Sequence, residues 1–168
     1  MQTMFTFIKR FFSTVCFIGY FPKASGTIAS MATVGVLYYF MPKVAPYFLP
    51  ASLHLFWPVY VAFVGFAIFV SNGAKEMFGA EDPSAIVIDE VAGQLITFMG
   101  IALTPGTLLF GLVLFRFFDI VKPFPIHKFE EMDDGCGIVM DDVAAGVLAN
   151  ISLLVILWGY HALKAHLN

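Results

Sequence analysis

Five apolar segments, separated by short polar or proline-containing loops, constrain this chain more than any other feature. They cover residues 28–41, 54–70, 89–103, 107–120 and 141–163. A helix needs about 20 apolar residues, and at least ~17, to cross the hydrocarbon core of a bilayer. Composition agrees, because 60% of the residues are hydrophobic and only 12% are charged, whereas soluble domains carry about 25% charged residues. The sequence therefore predicts an all-α fold, a polytopic integral membrane helical bundle that forms one domain over residues 1–168.

Prolines and turns define the ends of these segments. Pro42, Pro46 and Pro50 are expected to break any helix after the first segment. The tight turn 104–106 makes the fourth segment run antiparallel to the third. The first segment is short for a full crossing, so it either crosses or only dips into the membrane. We therefore expect about four to five membrane helices.

The N-terminal stretch MQTMFTFIKRFFSTVCFIGY is apolar with one basic pair. Lys9 and Arg10 lie in the middle of the stretch, whereas a cleaved signal peptide carries its basic residues before the apolar core. The pattern instead predicts an amphipathic helix in the membrane interface, with both cations facing lipid headgroups.

The positive charges indicate how the chain is oriented. With five crossings, the loops 1–28, 72–88 and 121–141 fall on one side, and 42–53, 104–106 and the C-terminus on the other. The first side holds Lys9, Arg10, Lys23, Lys75, Arg116, Lys122 and Lys128, and the second holds Lys43 and Lys164. The positive-inside rule makes the first side cytoplasmic. No basic run suggests nucleic acid, and no obligate protein partner is evident, so the expected partner is the bilayer.

Two stretches of the chain, EDPSAIVIDEVA at 81–92 and DDGCGIVMDDVA at 133–144, match at a constant offset. Each contains an acidic pair followed by small residues, which allow helices to approach closely. Carboxylates near membrane depth are costly and usually functional. Asp89, Glu90, Asp141 and Asp142 would together suit a hard divalent cation such as magnesium. The alternative is that the acids only complement helix dipoles.

A third motif, FRFFDIVKPFP, ends the fourth segment. Arg116, Asp119 and Lys122 are spaced by three residues and share one helix face. Asp119 could join the metal ligands, while the two cations could bind a phosphate. A snorkelling, solvated helix end is the alternative.

A short loop before the first segment, residues 23–27, could bind an anion. It contains Lys23, Ser25 and Thr27, and a loop before a helix can present backbone N–H groups to a phosphate. Capping of the helix by Ser25 or Thr27 would explain the same residues. Asp82 and Asp134 are ranked lower, as outer-shell or loop-capping groups. Since motifs for cysteine, aspartyl-phosphate and histidine phosphatases are absent from the sequence, phosphoryl chemistry here would be metal-assisted attack by water.

Four motifs together resemble the bacterial phosphatidylglycerophosphatase A family: PKASGTIAS, DPSAIVIDEVAGQ, FRFFDIVKPFPI and GIVMDDVAAG. The resemblance extends over residues 19–150. It implies a magnesium-dependent enzyme of the bacterial inner membrane. Such an enzyme removes the terminal phosphate of the phospholipid substrate phosphatidylglycerophosphate on the cytoplasmic side, giving phosphatidylglycerol.

This resemblance leads to a mechanistic hypothesis. The five acids, Asp89, Glu90, Asp119, Asp141 and Asp142, would hold one or two Mg²⁺ ions and activate a water, while Lys23, Ser25, Thr27, Arg116 and Lys122 would hold the phosphate. Two alternatives remain. A CDP-alcohol phosphatidyltransferase would need an Ala-Arg after Asp134-Gly135 and spaced aspartates, which are missing. A cation- or proton-coupled carrier would suit the internal repeat.

Overall fold

The computed structural model describes the chain except residues 1, 81–82, 125, 131, 133 and 168, and for residues 2, 3, 127 and 130 it describes the backbone alone. Within this part of the chain there are nine α-helices and no strand: α1 (Gln2–Ser13), α2 (Ser25–Tyr39), α3 (Met41–Phe48), α4 (Leu53–Ser71), α5 (Ala74–Phe78), α6 (Ile88–Thr97), α7 (Pro105–Val121), α8 (His127–Glu130) and α9 (Asp134–Leu167). The predicted all-α class is confirmed.

The longer helices run between two ends of a bundle. At one end, here called the acidic end, α2, α6 and α9 begin and α4 and α7 finish. Hydrogen bonds tie the loops of this end together: Val87 N–H donates to Ser13 O at 2.9 Å, and Gly135 N–H donates to Asn72 Oδ1 at 3.1 Å. At the far end, Gly100 N–H donates to Phe48 O at 2.8 Å. The loops therefore sort into the two groups predicted from the sequence.

Two helical stretches of the described chain are long and apolar enough to cross a membrane. They are Pro50–Ser71, with 22 residues, and α9, with 34. The pair α2 and α3 is a third candidate if it counts as one span, although it bends by 102°. Helix α6 has only 10 residues and rises about 15 Å, so it is shorter than the predicted segment 89–103. The coarse prediction of a helical membrane protein holds.

Two predicted boundaries are wrong. Prolines were expected to break the helix beyond residue 41, but residues 41–48 form α3. Pro42 lies in the first turn of α3, where a backbone N–H would have no acceptor within the helix, so its absence costs no hydrogen bond. The chain bends before this residue. The last helix begins at Asp134, seven residues earlier than the predicted 141, so the second acidic pair lies two turns inside α9.

Helix α6 packs closely against α9 near the centre of the bundle. A Cβ atom on Gly93 would lie 2.5 Å from the carbonyl oxygen of Asp142, and one on Gly146 would collide with the carbonyl oxygen of Gly93. The predicted close approach after each acidic pair is confirmed. Asn150 Nδ2 donates to Thr97 O at 2.9 Å and to Met99 O at 2.8 Å. It thereby satisfies carbonyls at the end of α6 that would otherwise be orphaned inside the bundle.

Helix α1 crosses α4 near the acidic end, with Phe12 packed edge-on against Phe66. The sequence predicted that its two cations face lipid headgroups; in the structure both donate to backbone carbonyls. Lys9 Nζ donates to Asn72 O at 2.7 Å and Arg10 donates to Met77 O. These acceptors lie at the C-terminal ends of α4 and α5, where free carbonyls and the helix dipole attract positive charge.

Candidate active site

The acidic end contains a polar cavity of about 320 Å³. Segments far apart in the sequence contribute to it: the loop before α2, the loop before α6, the end of α7 and the first turns of α9. Its lining residues are Phe21, Pro22, Lys23, Ala24, Ser25, Gly26, Pro83, Ser84, Ile86, Asp89, Glu90, Arg116, Asp119, Lys122, Ile138, Asp141 and Asp142. All five acids predicted as metal ligands thus line one cavity with three predicted phosphate-binding cations.

The two acidic pairs share a local arrangement. Asp89 Oδ1 accepts a hydrogen bond from Glu90 N–H at 3.0 Å, and Asp141 Oδ1 accepts one from Asp142 N–H at 2.9 Å. In both pairs the first acid is therefore oriented by the backbone of the second.

Three carboxylates come together at the centre of the cavity. One oxygen from each of Asp89, Glu90 and Asp142 lies within 4.8 Å of the other two. Glu90 Oε2 and Asp142 Oδ2 are buried and have no hydrogen-bond partner. A buried carboxylate oxygen without a donor is costly, and a divalent cation would remove that cost. The donor set therefore fits a hard metal ion that prefers oxygen ligands.

The other two acids have cationic partners. Asp119 Oδ2 lies 2.8 Å from Arg116 Nη1, and Asp141 Oδ2 accepts a hydrogen bond from Lys122 Nζ at 2.6 Å. Three of the five predicted ligands thus converge, and the other two have closer cationic partners than Glu90, which lies 3.8 Å from Arg116 Nη1. The pairing keeps Asp119 and Asp141 fixed at the wall of the cavity.

The cations of the cavity differ in how closely they pair with carboxylates. Arg116 Nη1 also lies 3.8 Å from Glu90 Oε1, yet Nε and Nη1 make no well-aligned hydrogen bond. The guanidinium group therefore keeps donors for an anion. Lys23 is exposed at the rim, and within the described residues it forms no ion pair or hydrogen bond.

The N-terminus of α2 faces the same cavity and has no side-chain cap. Ala24 occupies the capping position in a left-handed conformation, and Ser25 Oγ donates to Ser84 O at 2.6 Å instead. The capping alternative for Ser25 and Thr27 is therefore wrong. The first backbone N–H groups of α2 lack intrahelical acceptors and suit an anion. Gly26 is needed here, because a Cβ atom would collide with Glu90 Oε1.

Two of the predicted residues, Thr27 and Asp134, lie apart from this cavity. Thr27 does not line it. Asp134 accepts hydrogen bonds from Gly73 N–H at 2.9 and 2.8 Å, so it joins the α4–α5 turn to the start of α9, as its loop-capping alternative predicted. Asp82 lies outside the described residues.

Sequence reasoning missed several residues that shape the site. Ile86 and Ile138 both line the cavity. They are the same residue at equivalent positions of the two acidic stretches, so the repeat could have marked them as part of the site. Asn150, a single amide in a long apolar segment, could have been recognised as a buried polar contact. Gly26 gave no such signal, because its need depends on where Glu90 lies.

A family model and two relatives of this chain carry the same family name, and a third relative carries another. The model of the family described as Phosphatidylglycerophosphatase A matches residues 11–157. An Escherichia coli phosphatidylglycerophosphatase A is 35% identical over 138 residues, which cover 78% of this chain and 73% of that protein. A Bacteroides thetaiotaomicron protein named "Putative phosphatidylinositol-3-phosphatase" is 34% identical over 147 residues, covering 83% and 87%.

A Haemophilus influenzae phosphatidylglycerophosphatase A is 44% identical over 80 residues, covering 46% of this chain and 49% of that protein. The match to this relative therefore spans about half its length. No solved structure matches the chain.

Proposed function

Because this chain belongs to the phosphatidylglycerophosphatase A family, we propose that it hydrolyses the terminal phosphate monoester of phosphatidylglycerophosphate. The products are phosphatidylglycerol and inorganic phosphate, which makes the protein a phosphoric monoester hydrolase. The family match across residues 11–157 carries the proposal. The cavity supports it, because carboxylates beside cations and free helix N–H groups are what metal-assisted phosphate hydrolysis uses.

Magnesium is the proposed cofactor. Asp89, Glu90 and Asp142 would hold the ion, since their oxygens converge and two of those oxygens lack other partners. Asp119 and Asp141 line the same cavity, where they would lie near the ion while pairing with Arg116 and Lys122. When bound, Mg²⁺ neutralises charge on phosphate oxygens and makes a coordinated water more acidic.

The chain's own groups would bind the phosphate and handle the proton. The N–H groups at the start of α2 and the guanidinium group of Arg116, whose Nε has no hydrogen-bond partner, would bind the phosphate oxygens. Lys122, held by Asp141, adds a further positive charge to the cavity lining. One carboxylate of the cavity would orient the attacking water and accept its proton. Ser25 positions the loop before α2 through Ser84.

The membrane arrangement is part of the proposal. We place the acidic end at the cytoplasmic face of the bacterial inner membrane, because seven of the nine Lys and Arg residues belong to segments at that end. Helices α4, α7 and α9 would cross, the bent pair of α2 and α3 would form a fourth span, and α6 would enter part-way as a fifth. Helix α7 has 17 residues, about the minimum for a crossing. Helix α1 would lie in the interface through its exposed apolar residues Met4, Phe5, Phe7 and Ile8.

This topology is tested by labelling single cysteines in a background that lacks Cys16 and Cys136. Cysteine at Lys128 should react with a membrane-impermeant thiol reagent only from the cytoplasmic side, and cysteine at Lys43 only from the other side. The reverse pattern would refute the orientation.

Phosphatidylinositol 3-phosphate is a second candidate substrate, favoured by the relative that covers 83% of this chain. Both lipids contain the same chemical unit. A diester phosphate and a monoester phosphate are attached to the two outer carbons of a three-carbon unit, and the middle carbon carries a hydroxyl group. One site could therefore accept both headgroups, and assays with the two lipids side by side decide between them.

The rival classes fit the molecule less well. A carrier needs access from both sides and a site near the membrane midplane, whereas the five predicted metal ligands line a cavity at one end of the bundle. A CDP-alcohol phosphatidyltransferase would require the acid spacing that this sequence lacks. Neither alternative agrees with the family to which the chain belongs.

Phosphate release from the purified protein in detergent tests the proposal. Phosphatidylglycerophosphate with Mg²⁺ should give inorganic phosphate, and EDTA should abolish release. Mg²⁺ alone should also raise the melting temperature of the wild-type protein, because a ligand that binds only the folded state stabilises it, but not that of Asp142→Asn. Absence of phosphate release, with no effect of EDTA, would favour the carrier. Glu76→Gln, an exposed acid on α5 outside the cavity, is the control.

A further inference from the structure

Lys23 differs from the other cations of the cavity in position and in pairing. It lies at the rim, in the loop before α2, and is exposed, whereas Arg116 and Lys122 lie further inside. Arg116 lies 2.8 Å from Asp119 and Lys122 lies 2.6 Å from Asp141. Among the described residues no carboxylate lies within ion-pair distance of Lys23. Within the part of the chain that the structure describes, no carboxylate therefore neutralises its charge.

Apolar and aromatic residues precede Lys23 in the chain. Phe21 and Pro22 precede it and line the cavity, and Phe17, Tyr20 and Phe21 are exposed. A single cation beside exposed aromatic rings is the pattern of a surface that meets both the headgroup and the acyl region of a lipid. The diester phosphate of a phospholipid lies at that boundary, directly next to the diacylglycerol.

We propose that Lys23 binds the bridging diester phosphate of the lipid, while the inner groups bind the monoester phosphate. Lys23 is then a specificity-determining residue. The cavity selects phospholipids that carry both phosphates on one three-carbon unit, and phosphatidic acid, which has a single phosphate, offers no group to Lys23. This inference rests on the proposed hydrolysis of phosphatidylglycerophosphate and divides the phosphate-binding residues between two phosphates.

Lys23→Gln tests the inference with two lipids in mixed micelles, phosphatidylglycerophosphate and phosphatidic acid. The variant should lower kcat/KM for phosphatidylglycerophosphate roughly tenfold or more, mainly through KM, because it loses one charge-assisted contact. Turnover of phosphatidic acid should change little. Lys23→Arg should restore most of the loss, and Lys75→Gln, which removes a charge at the same end but outside the cavity, should behave as wild type.

The outcomes separate this inference from the proposed function. Equal losses with both lipids would assign Lys23 to the monoester, and no loss with either would remove it from substrate binding; both results overturn the inference. If phosphatidic acid is not hydrolysed, inhibition by inorganic phosphate reports on the inner site, and Lys23→Gln should leave its inhibition constant unchanged. A wild-type protein that releases no phosphate from phosphatidylglycerophosphate would instead overturn the proposed function.

Discussion

The stretches 81–92 and 133–144 have nearly the same sequence pattern but occupy different structural contexts. In the first, Asp89 and Glu90 form the first turn of the short helix α6. In the second, Asp141 and Asp142 lie two turns inside the longest helix, α9. The pairs nevertheless present the same chemistry, because in each pair one acid is held by its neighbour's N–H and the other has a buried oxygen without a partner.

This difference shows which part of the pattern matters. A helix dipole can account for acids in the first turn of α6, but not for acids two turns into α9. The acids share the place where the two helices cross, and the glycines that follow them make that crossing close. The two stretches therefore contribute to one site through packing, and equivalent helix positions are not required.

The largest effect should come from removing one charge of the three-carboxylate cluster from either stretch. Asp89→Asn and Asp142→Asn should each lower kcat about a hundredfold or more, because each removes a ligand charge from the same ion. Phosphate release and membrane content should be measured together. Near-normal turnover in both variants, with Glu76→Gln as the reference, would refute a shared metal site.

A smaller loss is expected for Asp141→Asn, which removes the partner of Lys122 instead of a member of the cluster. Activity should fall about tenfold, mostly through weaker substrate binding as Lys122 loses its orientation. Steady-state kinetics separates KM from kcat. A loss as large as that of Asp142→Asn would place Asp141 among the direct ligands and remove the distinction between the two acids.

Two glycine substitutions should have opposite effects, one mainly on activity and the other mainly on the stability of the fold. In Gly26→Ala the new Cβ atom meets the movable end of Glu90, so activity should fall about tenfold with little change in melting temperature. In Gly135→Ala the Cβ atom would lie 2.6 Å from backbone atoms of Asn72 and Ile68. The folded state should therefore lose roughly 1–3 kcal/mol. Thermal denaturation and phosphate release should be measured for both variants. A large loss of stability in Gly26→Ala, with Gly135→Ala as stable as wild type, would contradict this expectation.

The smallest effect should be that of Asp134→Ala. Among the described residues its carboxylate accepts from Gly73 N–H alone, away from the cavity. The variant should lose about 1 kcal/mol of stability, as for other lost caps, and keep near-wild-type kcat. A strong loss of kcat at unchanged stability would instead favour the outer-shell role that the sequence left open.

Much of the site could be predicted from the sequence. The acidic pairs, Arg116, Asp119, Lys122 and the loop around Ser25 all come to one cavity, because polar groups in an apolar chain concentrate where they can be satisfied. The helix boundaries were less predictable. The end of α6 at Thr97 depends on Asn150 of α9, whose side-chain amide donates to Thr97 O. No local sequence pattern encodes that contact between two helices.

The sequence by itself determined the class of the protein, the end of the bundle that carries its polar motifs, and the residue types available for chemistry. These follow from composition, charge distribution and local spacing. Only the tertiary structure decided how the groups are divided: three acids converge, two are ion-paired, and Lys23 has no ion-pair partner among the described residues. That division depends on distances of a few ångströms between α2, α6, α7 and α9. Such distances are set by helix packing at glycines, which no single segment specifies.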